Sequence, residues 1–203
     1  MSKKVIVLLA EGFEEVEAIT PIDYLRRVGI EVSSAAVGQK GQNGPVKGAR
    51  GVPVMADTSL DTLLKENKLG PSAWDAVIIP GGLPGADNLA ASKETGTFIR
   101  AMAEAGKWVC AICAAPARVL SPLGLLAGKK FTCFPGEEAK VIAPGSASAG
   151  AVWKQDRVVV DGNFITSRGA GSAGEFACAI IAKLVNEAEG KKLAERVLLP
   201  GAV

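Results

Sequence analysis

Three short apolar runs, Val5–Ala10 (VIVLLA), Asp75–Pro80 (DAVIIP) and Lys107–Ile112 (KWVCAI), each run straight into a turn bearing glycine or cysteine. Continuous apolar runs of this length are how strands buried on both faces read. After the first run, Glu11-Gly12 turns the chain. Glu14 to Val28 then reads as a helix, with acids in its first turn and Arg26-Arg27 in its last. Those charges match the helix dipole at both ends, and Gly29 is a C-terminal stop. Ile30–Val37 is the second strand. Strand, helix and strand within about 35 residues make a βαβ unit, which requires a parallel sheet.

The rest of the chain continues the pattern. Residues 38–51 read as turns and a short hairpin, Val52–Met55 as a short strand, Ser59–Lys68 as a short helix and Ser92–Ala105 as a longer one. A helix is expected from Ala114 to Leu120. Phe131–Phe134 and the segments 151–154, 156–160 and 163–166 read as strands, with Asp161-Gly162 as a hairpin turn between the last two. Gly171–Glu189 reads as the last long helix and Lys191–Val197 as a short terminal one. No internal repeat or long linker divides the 203 residues. The expectation is one doubly wound α/β domain over residues 1–203, its mostly parallel sheet covered by helices on both faces.

Composition narrows the chemistry. The chain contains no histidine. That removes Ser-His-Asp and Cys-His mechanisms, including those of cysteine peptidases and amidotransferases, and every His-bearing zinc site. Acid–base work must fall to carboxylates, Lys, Tyr24 or Cys. The 23 basic and 21 acidic residues nearly balance, which argues against a nucleic-acid partner. Four cysteines, at 110, 113, 133 and 178, lie in apolar runs, unlike a secreted disulfide scaffold, so a reduced, cytoplasmic setting is expected. The apolar start, Val5–Ala10, is too short for a signal sequence, and no apolar stretch is long enough for a membrane span.

Ligands of open α/β sheets bind at the carboxyl ends of the strands. Here those ends carry Gly12 to Glu17, Gly81-Gly82 and Cys113. Cys113 sits in Ala111-Ile112-Cys113-Ala114-Ala115-Pro116, between a strand and a helix, with small neighbours that permit a sharp elbow. A thiol there faces a helix N-terminus, which favours the thiolate. The plainer alternative is a small buried residue. Cys110 and Cys113 form a C-x-x-C, but Cys110 lies inside the strand and points away from the elbow, so a dithiol pair is not expected. Cys133 and Cys178 read as core residues and supply no metal set. Gly169-Ala170-Gly171-Ser172-Ala173-Gly174 is a literal G-x-G-x-x-G, yet no strand with an acid follows it, so it is read as a tight turn with close helix–sheet packing. Glu14, Glu15 and Glu17 cluster after the first strand. If one of them faces Cys113, burial and the neighbouring thiolate raise its pKa, and periodicity does not choose which.

Several segments together resemble the ThiJ/PfpI superfamily, in the branch of the parkinsonism-associated protein deglycase and its bacterial chaperone relative. They are Ala10-Glu11-Gly12-Phe13-Glu14-Glu15-Val16-Glu17, Pro21-Ile22-Asp23, Leu25-Arg26-Arg27-Val28-Gly29-Ile30, Pro80-Gly81-Gly82-Leu83-Pro84-Gly85-Ala86, Ala111 to Pro116, and Thr166-Ser167-Arg168-Gly169. They occur in family order and cover most of the chain. The resemblance implies a flavodoxin-like sandwich, a homodimer and no cofactor or metal. It assigns Cys113 as nucleophile and Glu17 as the carboxyl bonded to it. Gly82 and Ala114, with Gly81 beside them, would supply the oxyanion and substrate site. Arg27, Arg50 and Phe134 fall at pocket or dimer-contact positions. Phe134 stands where many relatives carry a histidine, and Ala170 replaces a common proline.

The function so implied is a cofactor-independent glyoxalase or protein deglycase. Its substrates would be methylglyoxal, glyoxal or their protein adducts, in defence against carbonyl and oxidative stress. The alternative is a redox-sensing chaperone whose cysteine is oxidised to sulfinate, with little or no catalysis.

Overall fold

The structure is a computed structural model that describes residues 2–38 and 44–200. The chain order is β1 (Lys4–Ala10), α1 (Glu15–Arg27) and β2 (Glu31–Val37), then the short strands β3 (Val46–Lys47), β4 (Pro53–Val54) and β5 (Thr58–Ser59). Next come α2 (Leu60–Lys65), β6 (Ala76–Ile79), α3 (Gly85–Ala91), α4 (Lys93–Glu104) and β7 (Trp108–Ile112), followed by a π-helical stretch at Pro116–Leu120. The remainder is β8 (Lys130–Phe131), α5 (Glu138–Ile142), β9 (Val152–Trp153), β10 (Val158–Asp161), β11 (Phe164–Ser167), α6 (Ala173–Leu184) and α7 (Glu187–Arg196).

Seven strands form one sheet in the order β10-β11-β7-β6-β1-β2-β5, and only the β10–β11 pair is antiparallel. The five long parallel strands therefore run second-first-third-fourth-fifth along the chain, the flavodoxin-like order. The chain leaves β1 in one direction for β2 and in the other for β6. The crevice at the carboxyl ends of β1 and β6 is thus the topological switch point, where such sheets bind ligands.

The period-2 alternation of β1 divides the core. Val5, Val7 and Leu9 pack on one face with Leu25 of α1, Phe176 and Ile180 of α6 and Leu193 of α7. Ile6 and Leu8 face the other layer, with Leu60 of α2, Leu89 of α3, Phe98 and Met102 of α4, and Leu120. Each such side chain contributes roughly 1.5–3 kcal/mol on burial. Both faces of the central strands are dry, which is why their sequences read as unbroken apolar runs.

Several expected boundaries shift. The expected long helix 171–189 is broken at Val185-Asn186, where Asn186 caps α7 by accepting the Glu189 N–H at 2.9 Å. Its first residues, Gly171 and Ser172, form a 3-10 turn with Ala170 instead. The helix expected from Ser59 ends at Lys65, with Ser59 as its N-cap. The strand expected at Phe131–Phe134 is only Lys130–Phe131. The Ala114–Leu120 helix is π-helical from Pro116. The hairpin turn sits one residue later, on Gly162-Asn163, because Asp161 pairs with Phe164. The short hairpin pairs Val46–Lys47 with Pro53–Val54; residues 39–43 of that stretch lie outside the described residues. Two short helices, α3 and α5, have no counterpart in the sequence reading. They follow glycine-rich turns and are too short for a helical period to register.

Candidate active site

Glu17 enters the site from the first turn of α1. The helix is started by Glu14, whose carboxylate accepts the Glu17 N–H at 2.8 Å. Glu15 turns aside, its Oε1 accepting the Arg50 N–H at 2.7 Å. Of the three clustered acids, Glu17 alone is fully buried, at 0% exposure. Its Oε2 accepts the Gly81 N–H at 2.9 Å. Its Oε1 is buried with no hydrogen-bond partner, and the Cys113 thiol and the Ala170 N–H are polar neighbours of the carboxyl.

Cys113 follows β7 directly and adopts φ +64, a left-handed conformation that only a few non-glycine residues take. The neighbouring backbone enforces it. The Cys113 N–H donates to Ser167 O at 2.9 Å and its carbonyl accepts the Phe134 N–H at 2.8 Å, so both sides of the residue are pinned. The strain is of the order of 1–3 kcal/mol and lifts the thiol out of the strand line towards Glu17. Gly81 makes the approach feasible: a methyl there would lie 2.7 Å from both the Cys113 Cβ and the Glu17 Oε2.

Electrostatics couple the two groups. Burial raises the Glu17 carboxyl from 4.5 to about 7, against the lowering effect of bonds to Cys113, Gly81 and Ala170. Burial also pushes the Cys113 thiol well above its ordinary value, and the Glu17 carboxylate adds to that. The N–H groups of Ala114 and Gly82 pull the other way. The expected lowering at the helix N-terminus is therefore present but outweighed. The Glu17 contributions operate only while Glu17 is charged. The pair gives up its first proton near neutrality and holds the second far into the alkaline range, a coupled titration.

Cys113, Glu17, Gly81, Gly82, Ala114 and Phe134 thus meet at one rim. Arg27 does not. It pairs with Asp23 at 2.7 Å and stands ~15 Å along α1 from Glu17, because a helix rises 1.5 Å per residue. Arg50 is exposed beside the α1 start and touches Glu15 through its backbone, not Cys113. Cys110 is fully buried on the α1–α6 side of the sheet, which leaves no dithiol at the elbow. Gly169 and Ala170 also border the pair, which the sequence reading does not place there. Their one signal is the Arg168-Gly169-Ala170 turn after a strand, which by itself reads as packing. Gly174 does pack closely, but against Leu199 rather than the sheet. A separate cavity of about 900 Å³ opens at the amino ends of the strands. Its Lys4–Glu31 and Lys107–Asp75 pairs satisfy one another, and it lies at the rim opposite the cysteine. Among the described residues no cluster of His, Cys, Asp or Glu could hold a metal, and no helix is long and apolar enough to cross a membrane.

Comparison with known proteins shows the family. Residues 3–183 match the DJ-1/PfpI family. The chain is 38% identical to DJ-1 homolog B of Arabidopsis thaliana over 97% of its length, while spanning 41% of that longer protein. It is 34% identical to a deglycase of Pyrococcus horikoshii, covering 81% of this chain and 89% of the deglycase. The structure of oxidised Toxoplasma gondii DJ-1 superposes with a TM-score of 0.86 at 35% identity, covering 98% of this chain and 100% of that one. With its flavodoxin-like sheet and its cysteine elbow at the switch point, the chain belongs to the DJ-1/PfpI family.

Proposed function

We propose that this protein converts 2-oxoaldehydes, or their adducts on proteins, through Cys113 with Glu17 as proton carrier. One observation carries the reading: a left-handed cysteine under two amides faces a wholly buried carboxyl that titrates near 7. The similarity to the Pyrococcus horikoshii deglycase supports it. Of the pair, Cys113 is half-buried and Glu17 fully buried. A thiolate is also the less strongly hydrated anion. Above about 7 the carboxyl has lost its proton, and the Glu17 carboxylate takes the thiol proton as sulfur attacks, so that the charge passes to sulfur only in the reacting pair.

The thiolate adds to the aldehyde carbon, forming a C–S bond while the carbonyl π pair moves onto oxygen. The Gly82 and Ala114 amides hold that oxyanion. Protonation by Glu17 gives the hemithioacetal. The Glu17 carboxylate then removes the C1 proton, yielding an enediol, and returns a proton to C2. The product is a thioester in which C1 is oxidised and C2 reduced. Water cleaves it, releasing the 2-hydroxy acid and restoring the thiol. Overall, one aldehyde and one water give one hydroxy acid.

The test is lactate formation from methylglyoxal with no added cofactor or glutathione. Wild type is expected to form it, with kcat/KM rising as pH passes about 7, where the pair loses its first proton. Equal rates in wild type, Glu17→Gln and Cys113→Ser end the proposal.

A second reading, a redox sensor, draws on the free Oε1 of Glu17 beside the sulfur. A protonated carboxyl there would donate to a sulfinate and halt oxidation at that stage. Intact-mass analysis after mild peroxide is expected to show two added oxygens confined to Cys113. Oxidation of Cys178 with Cys113 still a thiol would count against it.

A further inference from the structure

Phe134 is a site-rim residue that the proposed chemistry leaves unused, and among the described phenylalanines it alone is exposed. The side chain is 50% exposed. Its backbone is nevertheless fixed, the N–H donating to Cys113 O at 2.8 Å and the carbonyl accepting the Glu137 N–H at 3.0 Å. An exposed aromatic ring on a pinned backbone is a standing hydrophobic cost that a bound apolar group would relieve.

Gly169 faces the ring. Its backbone is extended, a conformation open to any residue. A methyl at Gly169 would lie 3.6 Å from Phe134 Cδ2, 3.9 Å from Glu17 Oε1 and 4.0 Å from Cys113 Sγ. These are ordinary contact distances, so neither strain nor collision demands glycine. The missing side chain leaves instead a methyl-sized space bordered at once by the aromatic ring, the proton carrier and the nucleophile. An aldehyde carbon bonded to Sγ, with its proton within reach of Glu17, must sit at the edge of that space. The substituent on the adjacent ketone carbon then leaves along the Phe134 ring.

We propose that Phe134 and Gly169 form the specificity wall of the site, and that the favoured 2-oxoaldehydes carry an apolar, preferably aromatic, group on the ketone carbon. The inference rests on the reading of Cys113 and Glu17 given above. An aryl group offset-stacks on Phe134. A charged substituent gains no such stacking. Phe134 is, in this chain, a surface for substrate and carries no proton to donate.

The test compares kcat/KM for phenylglyoxal and methylglyoxal in wild type, Phe134→Ala, Phe134→Tyr and Gly169→Ala, with melting temperatures measured alongside. The phenylglyoxal-to-methylglyoxal ratio is expected to fall roughly 2–10-fold in Phe134→Ala, the value of one aromatic pair. It is expected to survive in Phe134→Tyr, which keeps the ring, and to fall in Gly169→Ala, which fills the space without unfolding the protein. Turnover of both aldehydes with an unchanged ratio in Phe134→Ala overturns this inference alone. Turnover of neither aldehyde by wild type overturns the underlying chemistry, and this inference with it.

Discussion

Glu17→Gln is expected to yield a protein that is more stable than wild type at pH 8 and nearly inactive. Burial holds the Glu17 carboxyl at about 7 instead of 4.5. In the folded state the group keeps its proton between those values, whereas in the unfolded chain it has already lost it. The native state binds more protons than the unfolded state across that window, so stability falls as pH rises from 4.5 to about 7. The full penalty, about 3 kcal/mol, is present above that window and absent below it. Gln keeps the acceptor for the Gly81 N–H and offers a donor to the sulfur, but carries no charge to desolvate. Its melting temperature at pH 8 is expected to rise by roughly 6–12 °C, with little change at pH 4.5. Loss of the proton carrier is expected to lower kcat/KM for methylglyoxal by roughly 10²–10⁴. Thermal melts of both proteins across pH 4 to about 9, paired with lactate assays, check the two signs together. Parallel stability curves would show that Glu17 titrates as an ordinary carboxyl.

Gly82→Ala is expected to be the most damaging single-methyl addition at the site. Gly82 has φ +88, and a Cβ there would stand 2.4 Å from Glu14 N, 2.5 Å from Gly12 O and 2.7 Å from Phe13 C. All three are backbone atoms of the loop that delivers α1, so no side chain can rotate away. The left-handed conformation costs roughly 1–2 kcal/mol and overpacking a further 1–3 kcal/mol or more. Gly106→Ala is the control, because Gly106 has φ +69 with nothing within 4 Å of the added methyl. Urea denaturation is expected to show Gly82→Ala losing about 1–3 kcal/mol more than Gly106→Ala, the difference isolating the loop collision. Equal losses would mean that the loops move apart freely and that Glu17 is not held by them.

The βαβ opening, the parallel sheet and the elbow at Cys113 were legible because each rests on local pattern. Val5–Ala10 is apolar throughout since both its faces are covered, and Cys113 stands where an apolar run meets small residues and a proline. The break at Val185-Asn186 was not legible, because Gly171 to Glu189 keeps a good helical composition and only the capping geometry of Asn186 divides it. Arg27 matches a family position for pocket or dimer contacts, and its place along α1, ~15 Å from Glu17, takes it out of the pocket half of that expectation.

Which residues could do chemistry was settled by the sequence: an absence of histidine and a cysteine at a strand end left a thiol and carboxylates to work with. What those groups are was decided by the tertiary structure. Glu14, Glu15 and Glu17 are chemically alike along the chain, and only the packing of α1 against the Gly81-Gly82 loop buries the third and leaves the others to cap and brace. The thiol, expected to ionise easily at a helix N-terminus, is instead raised by that same burial and by Glu17. Desolvation depends on every atom that excludes water, and those atoms come from β1, β6, β7 and the turn at Gly169, which only the fold brings together.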